Sequence, residues 1–422
     1  MKRIIGWVLF AVLSLEIAAQ TEPTLYAGVN RTEMNRWVDS VFHAMTPDER
    51  IGQLFMLVAF PRTDATNMKT LQDYIYNIKI GGVLFQKGDP LKQAEVTNRL
   101  QQMSRIPLFV ALDGEWGLSM RLSETTRFPK NMMLGAIEDA RLTEEYAGEV
   151  ARQCKEMGIH INFAPVVDVN SNVSNPVIGL RSFGENPEAV AERGIAYARG
   201  LEQGGVISVA KHFPGHGDTS EDSHLTLPVV YRTTTQLDSV ELLPFQRYVD
   251  AGFAGVMTSH LYVPALDNTK NRATSMSASV VTDLLQRKMG FRGLCFTDAM
   301  AMKGATSGSS ESLSVQAIRA GNDIVLSPGA PEKEREAVKT AIKDGVLTWD
   351  DIHAKCRKIL QYKYIVGLNR YRPVELNGLY KRLNTSHAAW LNVKLNAEAM
   401  TLLKNEDTFL PLKQLDRKKI AV

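Results

Sequence analysis

Short apolar runs and amphipathic stretches alternate along most of the chain. The apolar runs are bounded by glycine or proline, which predicts buried β-strands. These strands are predicted at Leu54–Phe60, Gly82–Phe85, Leu108–Asp113, His160–Val169, Ile207–Phe213, Gly255–His260, Gly293–Asp298 and Asp323–Ser327. Stretches with helical periodicity lie between or after them, at Leu142–Glu156, Pro187–Glu202, Thr235–Ala251, Ala278–Met289 and Pro331–Lys343.

This alternation decides the predicted fold class. Strands that alternate with helices pair in parallel through right-handed crossovers. Eight such units over roughly 300 residues match a (β/α)8 barrel of the TIM type, so we predict an α/β protein with that architecture. A doubly wound open sheet is the alternative, and it is disfavoured because no glycine-rich dinucleotide-binding fingerprint follows the first strand.

The first residues have the pattern of a secretory signal peptide. Basic Lys2 and Arg3 precede an almost wholly apolar run, Ile4–Leu15, and small residues end the segment at Ala19. The run is shorter than the ~20 residues that a membrane span needs. We therefore expect residues 1–19 to be cleaved, which predicts a secreted or periplasmic protein without stable membrane insertion. An uncleaved anchor is the alternative.

Composition narrows the function classes. The 422 residues include 49 basic and 46 acidic side chains, so the net charge of +3 argues against a nucleic-acid-binding protein with a broad basic surface. Three scattered cysteines are too few for a disulfide framework or a structural zinc site. Cys154 and Cys295 lie in apolar segments, and we expect them to be buried thiols.

Ionisable residues interrupt the apolar runs where five predicted strands end. They are Asp113, Asp168, the pair Lys211-His212, His260 and Asp298. One such residue alone is more commonly a satisfied structural polar group. Barrel active sites lie at the carboxyl ends of the strands, so we expect these residues to converge on one rim.

The loop after the fifth strand carries the densest chemistry. It contains His212, His216 and the triplet Asp222-Ser223-His224, and its glycines and proline exclude a helix. His212 and His216 therefore do not share a helical face, which disfavours a zinc site of the helical type. Asp222 can hydrogen-bond the His224 imidazole and suit it to general acid–base catalysis. A metal site and a purely structural Asp–His pair are the alternatives.

Three further segments offer candidate groups. Asp298 beside a cation could stay ionised and act as a nucleophile, or it could cap the following helix. Asp113 and Glu115 precede Trp116 closely, and acids beside an aromatic face suit a sugar ring. A core tryptophan with solvated acids is the alternative there. Arg181 could bind a substrate anion or hydroxyl, or pair with a loop acid.

Together these motifs resemble a known family. Lys211–Thr219 followed by Asp222-Ser223-His224 closely resembles the signature of glycoside hydrolase family 3, and more narrowly its β-N-acetylglucosaminidase branch. Phe296–Met300 resembles the nucleophile strand of that family, Asp113–Gly117 its substrate-binding loop, and Met257–Leu261 its sixth-strand motif. The resemblance extends over roughly residues 33–422 in family order.

The resemblance implies a role for each matching residue. Asp298 is implied as the nucleophile, His224 as the general acid/base and Asp222 as the partner of His224. The residues implied to hold the sugar in the first subsite are Asp113, Arg121, Arg181, Lys211 and His212. The implied activity is retaining release of terminal β-linked N-acetylglucosamine from peptidoglycan-type or chitin-type glycans. A carbohydrate is the expected partner, and no metal or organic cofactor is expected.

Alternatives remain at the level of the reaction. A neutral imidazole does not repel an incoming anion, which leaves a β-glycoside phosphorylase open beside a hydrolase. A β-glucosidase of the family usually lacks the Asp-Ser-His loop, so Asp222-Ser223-His224 favours N-acetylglucosaminides. The substrate-binding loop departs from the branch pattern at Gly114, Trp116 and Leu118, which leaves the aglycone preference open. A non-catalytic carbohydrate-binding barrel is the alternative of another class.

The end of the chain predicts further elements. We assign residues 33–370 to the catalytic barrel, 371–386 to a linker and 387–422 to the start of a second, incomplete α/β sandwich domain. Trp349–Val366 and His387–Lys404 are predicted helices. Ile420–Val422 has the pattern of a strand opening, from which we expect that the chain is cut at a domain boundary.

Overall fold

Eight parallel strands form the centre of the molecule in the computed structural model, which describes residues 24–223, 225–305, 311–406, 410–413 and 415–417. The strands are β1 (Phe55–Ala59), β2 (Gly82–Phe85), β3 (Phe109–Leu112), β4 (Ile161–Asn162), β5 (Ile207–Phe213), β6 (Gly255–Thr258), β7 (Leu294–Thr297) and β8 (Val325–Leu326). Each strand from β1 to β6 pairs in parallel with the next one along the chain, and β8 returns to pair with β1. A bridge between Phe296 and Ile324 joins β7 to the segment that leads into β8. The strands therefore form a nearly closed (β/α)8 barrel, as the sequence predicts.

Helices surround this barrel. The α-helices of the described residues are α1 (Arg31–Ala44), α2 (Pro47–Gly52), α3 (Ala65–Asp73), α4 (Pro90–Met103), α5 (Asn131–Gly135), α6 (Ala140–Glu156), α7 (Pro187–Gln203), α8 (Thr234–Ser239), α9 (Leu242–Asp250), α10 (Leu313–Ala320), α11 (Pro331–Lys343), α12 (Trp349–Ile365), α13 (Leu379–Leu383) and α14 (Ser386–Glu398). Two segments, Tyr74–Ile78 and Ser279–Lys288, are wound as π-helices. Among the described residues, no helix is long and apolar enough to cross a membrane.

The strands are buried on both faces, which explains their nearly continuous apolar sequences. Every residue of β2, β3, β5, β6 and β7 is buried. Inside the barrel, the rings of Phe163 and Phe296 meet edge to face with centroids 5.4 Å apart. A sheet covered by its own side chains inside and by helices outside has no polar face, so its sequence does not alternate.

Proline accounts for two of the differences between the predicted elements and the structure. The predicted helix Thr235–Ala251 is divided into α8 and α9, because Pro244 has no N–H and cannot continue an uninterrupted helix through that turn. The predicted strand His160–Val169 is only Ile161–Asn162, because Pro165 cannot donate to the ladder. Beyond Pro165 a single bridge between Val166 and Lys211 continues the pairing.

The segment after the barrel contains regular structure. Within the predicted linker, α13 buries Leu379 and Leu383, and Arg382 on the same helix donates to Glu156 of α6 at 2.7 Å. Helix α14 follows at once and buries Leu391. The predicted signal peptide, residues 1–19, lies outside the described residues, and so does Ile420–Val422.

The cysteines are buried free thiols, as predicted for Cys154 and Cys295. Burial raises the pKa of Cys154 to about 12 and that of Cys295 to about 11. Cys356 on α12 behaves in the same way, with its pKa raised to about 12 by burial. These thiols stay protonated near neutral pH, which makes them poor nucleophiles.

A buried carboxyl at the amino end of the barrel makes stability depend on pH. Glu202 accepts hydrogen bonds from Ser208 Oγ at 2.6 Å and Ala254 N at 2.8 Å, and burial raises its pKa from 4.5 to about 7. Because the folded-state pKa lies above the unfolded one, Glu202 favours folding at low pH, and this contribution is lost as pH rises through 7. The shift corresponds to about 3 kcal/mol. Between pH 4.5 and pH 8.5 we expect the free energy of unfolding of the wild type to fall by about 3 kcal/mol more than that of Glu202→Gln, because glutamine does not titrate.

Urea denaturation across that pH range measures the effect. Glu144→Gln is the control, because Glu144 pairs with Arg199 at the surface of two neighbouring helices. It should keep the wild-type pH dependence. A Glu202→Gln profile parallel to the wild type would contradict the role assigned to this carboxyl.

Candidate active site

A cavity of about 410 Å³ lies at the carboxyl ends of the barrel strands. Its lining combines charged groups with apolar ones: Val58, Leu84, Gln86, Asp113, Glu115, Met120, Arg121, Val177, Arg181, Lys211, His212, His216, Ser223, Met257, Asp298, Ala299, Met302, Leu326 and Ser327. A volume of this order holds a small ligand such as a monosaccharide. Of the predicted rim of ionisable residues, Asp113, Lys211, His212 and Asp298 line this cavity, whereas Asp168 and His260 are not part of its lining.

Six of the eight predicted site residues line this cavity. They are Asp113, Arg121, Arg181, Lys211, His212 and Asp298. Asp222 is partly exposed and lies outside the cavity lining. His224 lies outside the described residues. The structure thus brings together the predicted nucleophile and all the predicted sugar-binding residues.

Asp113, which follows β3, forms ion pairs with two basic side chains. Its Oδ1 accepts from Lys211 Nζ at 2.9 Å, and its Oδ2 accepts from Arg121 at 2.9 Å. Burial alone would raise the pKa of Asp113, but the charges of Lys211 and Arg121 outweigh it and lower that pKa. The ionised carboxylate keeps further lone pairs, which can accept hydrogen bonds from sugar hydroxyls.

Glu115 is the buried counter-ion of two other predicted sugar ligands. The Arg181 guanidinium donates to both of its oxygens, Nη2 to Oε1 at 2.7 Å and Nε to Oε2 at 2.9 Å. Lys211 Nζ lies 2.8 Å from Glu115 Oε1. Burial opposes ionisation, but Arg181 and Lys211 lower the Glu115 pKa well below its ordinary range. The sequence suggested Glu115 as an acid facing the sugar, whereas the structure commits both of its oxygens to neighbouring cations.

His212, near the end of β5, is fixed in one tautomer by its partners. Arg181 Nη2 lies 3.2 Å from His212 Nε2, and a guanidinium can only donate, so Nε2 is the acceptor. Nδ1 then carries the proton and donates to Asp168 Oδ2 at 2.7 Å. Asp168 also accepts from the backbone N–H of His216 at 2.7 Å. Asp168 is a strand-end acid that the sequence indicates, but its function of orienting His212 becomes visible only in the fold.

Asp298 follows β7 directly and lies partly buried in the cavity wall. Its Oδ1 accepts from the backbone N–H of Ala299 at 2.7 Å. Burial alone would raise the pKa of Asp298, but the Ala299 N–H and the nearby basic groups, with the Lys211 ammonium among them, outweigh burial and lower that pKa. The carboxylate is therefore ionised near neutral pH, as a nucleophile must be.

The loop after β5 packs tightly on the loop after β4. A Cβ atom at Gly217 would lie only 1.6 Å from the carbonyl oxygen of Val169, so only glycine fits there. His216, one residue earlier, is buried, and burial lowers its pKa to about 4. The imidazole of His216 is therefore neutral near pH 7, with one nitrogen to donate and one to accept. The sequence singled out His216 without assigning it a role.

These groups together suit an uncharged polyol better than a metal ion. The basic side chains of Arg121, Arg181 and Lys211 and the carboxylates of Asp113 and Glu115 line a small volume, and the ionised carboxylate of Asp298 lies in its wall. Within the described part of the chain, no three His, Cys, Asp or Glu side chains are grouped closely enough to hold a metal ion.

Comparison with known proteins assigns the family. Residues 46–362 match the glycosyl hydrolase family 3 N terminal domain. The chain belongs to glycosyl hydrolase family 3. The barrel and its cavity are therefore the family's N-terminal domain, and the resemblance seen in the sequence motifs is confirmed.

Several relatives match over most of this chain. β-Hexosaminidase A of Pseudoalteromonas piscicida is 33% identical over 376 residues, which cover 81% of this chain and 62% of that protein. A β-hexosaminidase of Neisseria meningitidis serogroup C is 35% identical over 285 residues, covering 65% of this chain and 77% of the relative. The chain thus spans about three fifths of the length of the Pseudoalteromonas relative.

Solved structures share the fold. The family 3 β-N-acetylglucosaminidase of Paenibacillus sp. str. FPU-7 matches with a TM-score of 0.80 and 32% identity, over 86% of this chain and 70% of that one. A β-glucoside phosphorylase matches with a TM-score of 0.83 at 24% identity, over 93% of this chain and 71% of that one. At that identity the second likeness concerns the fold alone.

Proposed function

We propose that this chain is the catalytic part of a secreted retaining glycosidase that releases terminal β-linked N-acetylglucosamine from glycans of the peptidoglycan or chitin type. Asp298 is its nucleophile, and His224, paired with Asp222, is its general acid/base. The names of the Pseudoalteromonas and Neisseria relatives, both β-hexosaminidases, support this substrate class. The Asp222-Ser223-His224 triplet and the signal-peptide pattern of residues 1–19 support the acid/base and the export.

The observation that carries the proposal is the placement of Asp298. Its carboxylate is held ionised in the wall of a sugar-sized cavity, next to Lys211 and His212. A carboxylate used only as a helix cap needs no such cationic surroundings. The surrounding cations and acids supply the hydrogen-bond donors and acceptors that orient a sugar ring above it.

The chemistry follows as two displacements. An Asp298 carboxylate oxygen bonds to the anomeric carbon while the glycosidic C–O bond breaks and the leaving oxygen takes a proton from His224. A water molecule then gives a proton to the neutral His224 imidazole, its oxygen bonds to the anomeric carbon, and the carboxylate leaves. The configuration at the anomeric carbon is retained because it is inverted twice.

A comparison of aryl glycosides tests the substrate class. We expect kcat/KM for 4-nitrophenyl N-acetyl-β-glucosaminide to exceed that for 4-nitrophenyl β-glucoside by at least about 100-fold, because a site built to hydrogen-bond a substituent rejects the analogue that lacks it. Inorganic phosphate should not change the product, which should be the free sugar.

The other outcomes have defined meanings. Preference for the glucoside would contradict the proposed substrate, and one relative, from Cellulomonas fimi at 28% identity, is named for both activities. Formation of a sugar 1-phosphate would replace the hydrolase by a phosphorylase. A folded protein that turns over no glycoside would favour a carbohydrate-binding barrel.

A further inference from the structure

The residue beside the proposed acid/base is held more tightly than its neighbours on the loop. Ser223 is 1% exposed, whereas Ser220 and Glu221 are exposed. Ser223 also reaches the cavity, where it is part of the wall together with Asp298. A polar side chain that is buried in a largely exposed loop indicates a specific contact.

The side chain of Ser223 is held by His216. The Ser223 Oγ lies 2.9 Å from His216 Nε2, and the other ring nitrogen, Nδ1, lies 3.0 Å from Thr219 Oγ1. Both nitrogens of the neutral ring are thus engaged by hydroxyl groups. Rotation of the imidazole would break both contacts at once, so the ring is a rigid support for Ser223.

His216 is itself fixed from the loop after β4. Asn175 Nδ2 donates to the His216 carbonyl at 2.8 Å and to Thr219 Oγ1 at 3.2 Å. Asp218, between them, accepts two hydrogen bonds from the Arg232 guanidinium, at 2.7 and 2.8 Å. The first half of the loop is therefore anchored to the barrel, and Ser223 is attached to that anchored half.

The backbone of Ser223 is held from the opposite side. The N–H of Gly304 donates to the Ser223 carbonyl at 3.2 Å. A Cβ atom at Gly304 would lie 2.8 Å from the carbonyl oxygens of both Ser223 and Thr226, so a larger residue would push this part of the loop away. The segment after β7, which also carries Asp298, thereby fixes the height of the loop above the cavity.

We propose that Ser223 is a positioning residue of the glycosidase, whose contact with His216 fixes the backbone between Asp222 and the proposed acid/base His224. The inference rests on the proposed function, since it assumes that the Asp222–His224 pair delivers the proton. Ser223 does not transfer a proton itself. Its hydroxyl fixes the single backbone position between the two members of that pair.

A series of leaving groups distinguishes positioning of the acid from general damage. Protonation of the leaving oxygen matters for a sugar or alkyl leaving group and hardly matters for 2,4-dinitrophenol, which departs as an anion. We expect Ser223→Ala to lower kcat/KM for chitobiose by about 10²-fold, within the range that general acid catalysis contributes. The loss for 2,4-dinitrophenyl N-acetyl-β-glucosaminide should be less than about threefold. His224→Ala, measured beside it, gives the full effect of losing the acid.

Matched variants make the result specific. Ser220→Ala is the same change three positions earlier on the exposed part of the loop, and it should leave both substrates unaffected. Ser223→Cys keeps the size of the side chain with a weaker hydrogen bond, so it should give an intermediate loss of the same pattern. It also replaces Ser223→Ala in the test if circular dichroism shows that the alanine variant is unfolded.

Two outcomes would overturn the inference. Equal losses on chitobiose and on the dinitrophenyl substrate would show a general distortion of the site, and an unchanged Ser223→Ala would show that the contact is dispensable. Both outcomes require an active wild type. A wild type that hydrolyses no N-acetylglucosaminide would instead contradict the proposed function.

Discussion

Asp298→Ala is expected to lower kcat/KM for aryl N-acetyl-β-glucosaminides by about 10⁴-fold or more, since loss of a catalytic nucleophile has effects of that order or larger. The cavity places no second carboxylate in an equivalent position. Asp113 and Glu115 each give both oxygens to neighbouring cations, so neither can replace Asp298. Initial rates with the nitrophenyl substrate measure the loss.

A covalent adduct gives a second and independent readout. A slowly hydrolysed 5-fluoro N-acetyl-β-glucosaminide with a good leaving group should add the mass of one glycosyl unit to the wild type. Peptide mapping should place that mass on the peptide that contains Asp298. The alanine variant should acquire no mass, because it lacks the oxygen that bonds to the anomeric carbon.

Asp323→Asn is the matched control for this variant. Asp323 is also a buried carboxylate near β7, but it lies before β8 and accepts from Cys295 N at 2.9 Å and Lys358 Nζ at 3.0 Å. Its substitution should cost stability while the folded enzyme keeps its kcat. Comparable activity of Asp298→Ala and the wild type, or an adduct on another carboxylate, would refute the assignment of the nucleophile.

Glu115→Ala is expected to lower the free energy of unfolding by about 3–5 kcal/mol, the usual cost of removing one partner from a buried ionic network. Glu115 is 1% exposed, and its removal leaves the buried Lys211 and partly buried Arg181 without their shared counter-ion. Urea denaturation measures the change. In the folded fraction, KM should rise, because both cations are proposed sugar ligands that lose their fixed positions.

The matched control is an ion pair at the surface. Asp283 and Arg287 lie 2.7 Å apart with side chains 55% and 74% exposed, so Asp283→Ala should change stability by less than about 1 kcal/mol. Glu115→Gln keeps the shape and one acceptor oxygen and should fall between the alanine variant and the wild type. Wild-type stability of Glu115→Ala would show that the network does not hold this part of the site.

The sequence could predict those features that depend on local pattern. The strands β2 and β5 begin and end at the predicted residues, because glycine and apolar runs define their limits. The eight-unit alternation predicted the barrel, and the barrel rule then predicted that Asp113, Lys211 and Asp298 would meet at one rim. The prediction of one continuous helix over Thr235–Ala251 was wrong. The apolar periodicity continues through this segment, but Pro244 has no N–H to donate to the preceding turn, so the structure has two helices.

The sequence by itself determined which residue types stand at the strand ends, and the tertiary structure decided what each of them contacts. Glu115 and Asp168 show the difference. In sequence each is an acid near a strand end, but only the fold brings Arg181 and Lys211 to Glu115, and His212 to Asp168. Their partners are 44 to 96 positions away along the chain, so no local spacing encodes these pairs. These contacts are needed because a buried charge is costly without an ion-pair or hydrogen-bond partner. Which group lies close enough to be that partner depends on the three-dimensional fold.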